Sequence, residues 1–165
     1  MGNLMRKNQN GGFTLIELVV VITILGILAA FALPRFAALQ ADARIAKMNG
    51  ALASIKAAAV MAHSIQLTQN LAPNAAVTME GAAGNVAMAN GYPTSALASI
   101  GRAAGLVNDA DVAIPGYVLP VPTGTVFTVR PDATHAACAI TYTVPTGPGV
   151  APTYSAAALT TANCQ

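Results

Sequence analysis

From Phe13 to Leu33 the chain runs for 21 residues with no basic side chain and a single acid, Glu17. Wound as a helix rising 1.5 Å per residue, this run is roughly 31 Å long, which matches the hydrocarbon core of a bilayer. Whatever the chain folds into, it must hide this segment in lipid or against other protein. Arg6 and Lys7 precede the run, an arrangement that keeps the N-terminus cytoplasmic and sends the remainder across the membrane. Most of the chain is therefore predicted to be exported.

Glu17 discriminates among three readings of this segment. As an ordinary secretory signal, it would be cut near the small-x-small triplet Ala30-Phe31-Ala32, but the apolar region is longer than the usual 7 to 15 residues and an insertion signal has no use for an acid. As a plain anchor, it would carry an unexplained intramembrane carboxylate, at a cost of roughly 2.5 to 3.5 kcal/mol at mid-helix and less near an end. The third reading cuts the chain between Gly12 and Phe13. The new α-amine then lies one helical turn from Glu17, and in apolar surroundings it needs a counter-charge. A carboxylate on a neighbouring copy, staggered by about one turn, supplies it and sets the register between subunits, a role for which buried polar pairs are well suited.

The hexapeptide Gly12-Phe13-Thr14-Leu15-Ile16-Glu17, the short basic leader before it, the long apolar helix and Pro34 closing that helix together resemble the N-terminus of type IV pilins and of the related secretion pseudopilins. The resemblance implies that a prepilin peptidase cuts after Gly12 and methylates Phe13, and that Glu17 is the assembly acid. It also implies a helical homopolymer of this chain, extracted from the inner membrane by an assembly machinery with a cytoplasmic ATPase. The prepilin would be a single-pass inner-membrane protein and the product an extracellular fibre serving adhesion, biofilm formation or motility. Its fold would be α+β, a long N-terminal helix with a protruding apolar half, packed on a small antiparallel sheet.

Pro34 lacks an N–H and clashes with the preceding turn, so it is predicted to kink the helix without ending it. The stretch after it is rich in Ala, Leu, Lys, Arg and Gln, good helix formers. Ile45, Met48, Leu52, Ile55 and Ala59 recur at spacings of three and four and make one apolar stripe. A single helix over residues 13–68 follows, with residues 1–12 a cleaved leader and 69–165 a globular head. Arg44, Lys47 and Lys56 are expected to stay solvated or face a neighbour.

Within the head, VTME at 77–80 and VAMA at 86–89 flank Gly81-Ala82-Ala83-Gly84-Asn85 as a loose hairpin. Thr94 to Ala104 reads as a short helix capped by Thr94. Thr125 to Arg130 and Ala137 to Val144 read as strands. Tyr117 to Val121, flanked by prolines, reads as an edge strand, and Thr153 to Leu159 as a fourth. Cys138, placed on a strand, and Cys164 fit one disulfide in an exported protein; many type IV pilins carry one that bounds a variable C-terminal region.

The N-terminal sixty residues and Asn90-Gly91-Tyr92-Pro93 look most like the mannose-sensitive haemagglutinin group of pilins. A major pseudopilin of a type II secretion system is the alternative. Those subunits usually lack the disulfide and bind calcium late in the head, where this chain has only Asn108-Asp109-Ala110-Asp111, too few ligands for calcium. No cofactor or metal is expected. His63 and the pair His135 and Cys138 lack the partners that catalysis or zinc demands, so no enzyme is predicted. Gly26 suits close packing between helices, and Met61, Met79 and Met88 read as core filling. Charged residues are 8% of the chain against roughly 25% in ordinary soluble proteins. Of the eight basic residues, Arg6 and Lys7 precede the apolar run, leaving six against six acidic ones, so no nucleic-acid-binding surface is encoded.

Overall fold

The computed structural model describes residues 12–80, 82 and 84–165. Arg6, Lys7 and the rest of the leader before Gly12 lie outside the described residues. Contacts divide the chain into two units that meet between Ala37 and Ala38.

Helix α1 runs Leu15–Thr68 and passes through Pro34. In the first unit every side chain from Phe13 to Phe31 is exposed, with Phe13 at 94% and Leu15 at 80% of full accessibility. The helix is long and apolar enough in this part to cross a membrane.

In the second unit the same helix is amphipathic. Met48, Leu52, Ile55 and Ala59 are buried, together with Ala51, Ala58 and Ala62, and Ile45 is partly buried against them. Alanine on this face lets the helix lie close to whatever packs on it. Opposite it stands a three-stranded antiparallel sheet, β5 (Val126–Val129), β6 (Ile140–Thr143) and β7 (Thr153–Ser155), in the order β5-β6-β7. Phe127, Val129, Ile140 and Tyr142 alternate toward α1 and are fully buried. The buried Tyr142 hydroxyl donates to the Pro93 carbonyl at 2.6 Å, which satisfies its polar end.

The other face of this sheet is different. Register places Thr128, Thr141 and Ser155 side by side across the three strands, and Val126, Thr143 and Thr153 in a second row. These six side chains are half-buried or exposed and none is charged.

Before the sheet come two hairpins, β1 (Val77–Thr78) with β2 (Asn85–Val86), and β3 (Met88–Ala89) with β4 (Tyr92–Pro93). The hairpin expected from 77–80 and 86–89 thus forms only in part, since Met88 and Ala89 pair with the next strand. The cause is Asn90-Gly91, whose φ values of 54° and 93° suit the type I′ turn that joins two strands through two residues. A helix expected from Thr94 is shortened to a π-helical turn over Leu97–Gly101, preceded by Ala96 with no side-chain cap. Thr94 does not cap it: its N–H continues the hairpin by donating to the Ala87 carbonyl at 2.9 Å.

Proline limits the remaining strands. Of the segment 117–121 only Val118 pairs, bridging Arg130, the residue after β5. After Ser155 the chain turns, with the Leu159 N–H on the Ala156 carbonyl, and ends in the single-turn helix α2, Thr161–Cys164. Met79 and Met88 join Val77, Val86 and Ala62 in a second small core. Met61 does not fill core; it is 55% exposed.

Candidate functional site

The candidate site is the start of α1. Phe13 and Thr14 precede the helix in non-helical chain. Thr14 is the cap: its hydroxyl accepts from the Glu17 N–H at 3.3 Å, while the Thr14 N–H and hydroxyl both donate to Glu17 Oε2 at 3.0 Å. This reciprocal pattern is a capping box, in which Thr at the N-cap and Glu three residues later satisfy otherwise orphaned backbone donors. Glu17 also places negative charge in the first turn, where the helix dipole favours it. The signal was present in the sequence as Thr14-x-x-Glu17, and a reading of Glu17 through its charge alone passed over it. Oε1 carries no hydrogen bond among the described residues and is exposed, so one carboxylate oxygen is held by the chain itself and the other is open.

Arg44, Lys47 and Lys56 were expected to be solvated or to face a neighbour; Lys56 is exposed as expected, but Arg44 and Lys47 are half-buried and engaged within the head. Arg44 Nη1 donates to the Cys164 carbonyl at 2.9 Å and Nε lies 3.3 Å from Asp132 Oδ2. Lys47, one turn on, donates to the carbonyls of Gly116 and Pro131 and sits 4.6 Å from the Tyr117 ring centroid. Lys56 lies 5.5 Å from that of Tyr154. Cations on aromatic faces are attracted by the ring quadrupole.

Asp132 organises its own turn, accepting at Oδ1 from the Thr134 N–H at 2.9 Å and the His135 N–H at 2.8 Å, with His135 Nδ1 at 2.7 Å. Desolvation acts to raise its pKa, but the hydrogen bonds from His135 and Thr134 outweigh it and hold the carboxyl well below the usual range. Cys138 and Cys164 form a disulfide and are fully buried. Cys138 lies in the turn before β6, not on the strand, with its N–H on the His135 carbonyl. Both members of the His135 and Cys138 pair therefore have other partners. His63 is half-buried and not a free surface group: its ring stacks on Tyr92 at 4.3 Å and Nδ1 lies 2.7 Å from the Gly91 carbonyl.

The acidic loop at Asn108-Asp111 is held by Arg102. Its Nε and Nη2 reach Asp111 Oδ1 and Oδ2 at 2.7 and 2.8 Å, and Nη2 also donates to the Asp109 carbonyl at 3.1 Å. Asn108 Oδ1 accepts from the N–H groups of Ala110 and Val112. A guanidinium thus already occupies both carboxylate oxygens of Asp111 and the Asp109 carbonyl. Thermal unfolding of the detergent-solubilised chain should superimpose with calcium and with chelator, whereas Arg102→Ala should cost about 1 to 3 kcal/mol through loss of a charge-assisted pair. A calcium-dependent rise in Tm would contradict this account of the loop.

Comparison with known proteins places the first unit. Residues 7–33 match the prokaryotic N-terminal methylation motif. The chain is 43% identical over 54 residues to the type II secretion system core protein G of Pseudomonas aeruginosa, covering 33% of this chain and 38% of that one. It is 47% identical over 51 residues to the type IV narrow pilus major component of Thermus thermophilus, covering 31% of this chain and 44% of that one. The same identity and length hold for the type IV major alpha-pilin of Moraxella bovis, with 32% of that chain covered. The chain spans less than half the length of each of these relatives, and no solved structure matches it significantly. None of the three bears the haemagglutinin name. The likeness thus lies in a methylation motif at the start of a 54-residue helix, a part that this chain has in common with two type IV pilus components and with a secretion core protein.

Proposed function

We propose that this protein is a structural subunit, not an enzyme, that is made as a membrane-anchored prepilin and polymerises into an extracellular type IV pilus fibre. The observation that carries the reading is the exposed apolar stretch of α1 up to Leu33, whose one carboxylate, Glu17, sits in the first turn and within the methylation motif. Cutting between Gly12 and Phe13 by a prepilin peptidase leaves methylated Phe13 as the new terminus. In the fibre, the amine of one copy pairs with the open oxygen of Glu17 on the next. The Phe13 to Leu33 helices pack against one another, with Gly26 admitting close approach, and Pro34 marks where the helix bends. The Ala30 carbonyl there has no i+4 donor.

Burial of such a helix at 25 cal/mol per Å² amounts to tens of kcal/mol gross. Lipid already solvates that surface, so extraction from the inner membrane cancels most of it and the assembly machinery must do work, through its cytoplasmic ATPase. A major pseudopilin of a type II secretion system is the second reading, favoured by the 43% identity to core protein G; the loop held by Arg102 favours the pilus.

Intact mass and N-terminal sequencing of protein sheared from cell surfaces test the proposal. The expected product starts at methylated Phe13 and lacks two hydrogens at Cys138 and Cys164. A product starting at Leu33 would mean a conventionally secreted domain. Gly12→Val should leave an uncut precursor in the membrane fraction and no sheared product; normal processing of that variant would remove Gly12 from the cleavage site.

A further inference from the structure

We propose that Arg44 is the positioning residue that brings Cys138 and Cys164 together before they are oxidised. The two cysteines are 26 positions apart, and neither is delivered by a rigid element of its own. Cys164 ends α2, a single turn of four residues, too short to persist without tertiary support. Cys138 lies in the loop between Arg130 and β6.

One guanidinium reaches both segments. Nη1 of Arg44 holds the carbonyl of Cys164 itself. Nε holds Asp132, whose other oxygen fixes the Thr134 and His135 amides, and the His135 carbonyl in turn receives the Cys138 N–H. Lys47, on the same face of α1 one turn later, holds the Pro131 carbonyl at 3.0 Å and so steadies the residue before Asp132. All of these contacts are independent of the sulfur–sulfur bond, so they can assemble in the dithiol. The Arg44 side chain is 24% exposed, and partial burial strengthens such contacts relative to open water. Arginine suits the position because its planar fork addresses two acceptors at once, which a lysine ammonium on a flexible stem does less well.

The experiment is the rate of disulfide closure in the full-length, detergent-solubilised, reduced chain after addition of glutathione disulfide. Each closure forms one protein disulfide and converts one glutathione disulfide to two glutathione thiols. Alkylating the remaining thiols at timed points and measuring mass gives the rate. Arg44→Ala should close about ten- to a hundredfold more slowly than the unmodified chain, the loss expected for hydrogen bonds to a charged group. Arg44→Lys should fall between them. Arg102→Ala removes an ion pair of similar burial away from the cysteines and should close at the unmodified rate. In urea all four chains should close alike.

Three results would overturn the proposal. One is closure of Arg44→Ala at the unmodified rate under native conditions. Another is equal slowing by Arg102→Ala, which would trace the effect to general loosening of the head. The third is an unmodified chain that closes no faster in native buffer than in urea. If Arg44→Ala cannot be isolated folded, Arg44→Lys carries the decision, and closure at the unmodified rate overturns the proposal.

Discussion

Glu17→Gln should abolish fibre formation as completely as Glu17→Ala, while both variants insert in the membrane and keep a folded head. The pair of substitutions separates the capping box seen at Thr14 and Glu17 from the assembly role proposed for the same side chain. Glutamine retains an oxygen for the Thr14 N–H and hydroxyl, and Gln is as acceptable as Glu in a capping box. Alanine removes the box, a loss of about 0.5 to 2 kcal/mol in helix stability. Neither side chain neutralises an α-amine. If Glu17 serves assembly by pairing with the terminal amine of Phe13 on the next copy, each variant leaves that cation unpaired in an apolar environment, a penalty of about 3 to 5 kcal/mol at every interface. Sheared-fibre yield should fall by about two orders of magnitude or more for both. Near-normal fibres from Glu17→Gln, with few from Glu17→Ala, would show that the acid acts only as a helix cap.

The second large effect is expected from Cys138→Ser combined with Cys164→Ser. The bridge joins positions 26 apart, and the chain-entropy model assigns such a loop about 3.5 kcal/mol. Both sulfurs are fully buried in the main core beside Ile140 and Tyr142, so each serine also buries a hydroxyl that must find a partner. Chemical denaturation of the solubilised chain should show the loss as a lowered midpoint at unchanged slope. A loss below about 1 kcal/mol would mean that the contacts made by Arg44 and Lys47 already restrain the C-terminal segment as tightly as the covalent bond does.

Much of this arrangement was legible in the sequence, and for identifiable reasons. The Met48, Leu52, Ile55 and Ala59 stripe was readable because helical periodicity is a local property that burial merely reports. Phe127 and Tyr142 were readable within β-branched runs for the same reason. Some misread parts depended on residues far apart in the chain, and others on two local signals that competed. Arg44 and Lys47 look like a solvated face until the turn at 131–135 and the C-terminus fold back onto them, and no local pattern announces that. Thr94 looks like a cap, but the Asn90-Gly91 turn had already committed the following residues to a hairpin. Asn-Gly flanked by apolar residues was a usable signal, and it outweighed a weak helical propensity. The capping box at Thr14 and Glu17 was also written in the sequence. It was hidden by the more conspicuous oddity of an acid in hydrocarbon.

The outer rows of the three-stranded sheet, Thr128-Thr141-Ser155 and Val126-Thr143-Thr153, bear on how such a protein behaves in suspension. Beyond the leader the chain has six basic and six acidic residues, and Arg44 and Arg102 are already matched to Asp132 and Asp111. Two heads approaching through salt water therefore meet almost no double-layer repulsion, which for charged proteins acts over a screening length of about 8 Å at physiological ionic strength. In colloid terms the surface is kept apart by bound water on hydroxyl groups rather than by charge. Lateral contact with a like surface, or with any surface whatever its sign, is then decided by how readily that water is given up.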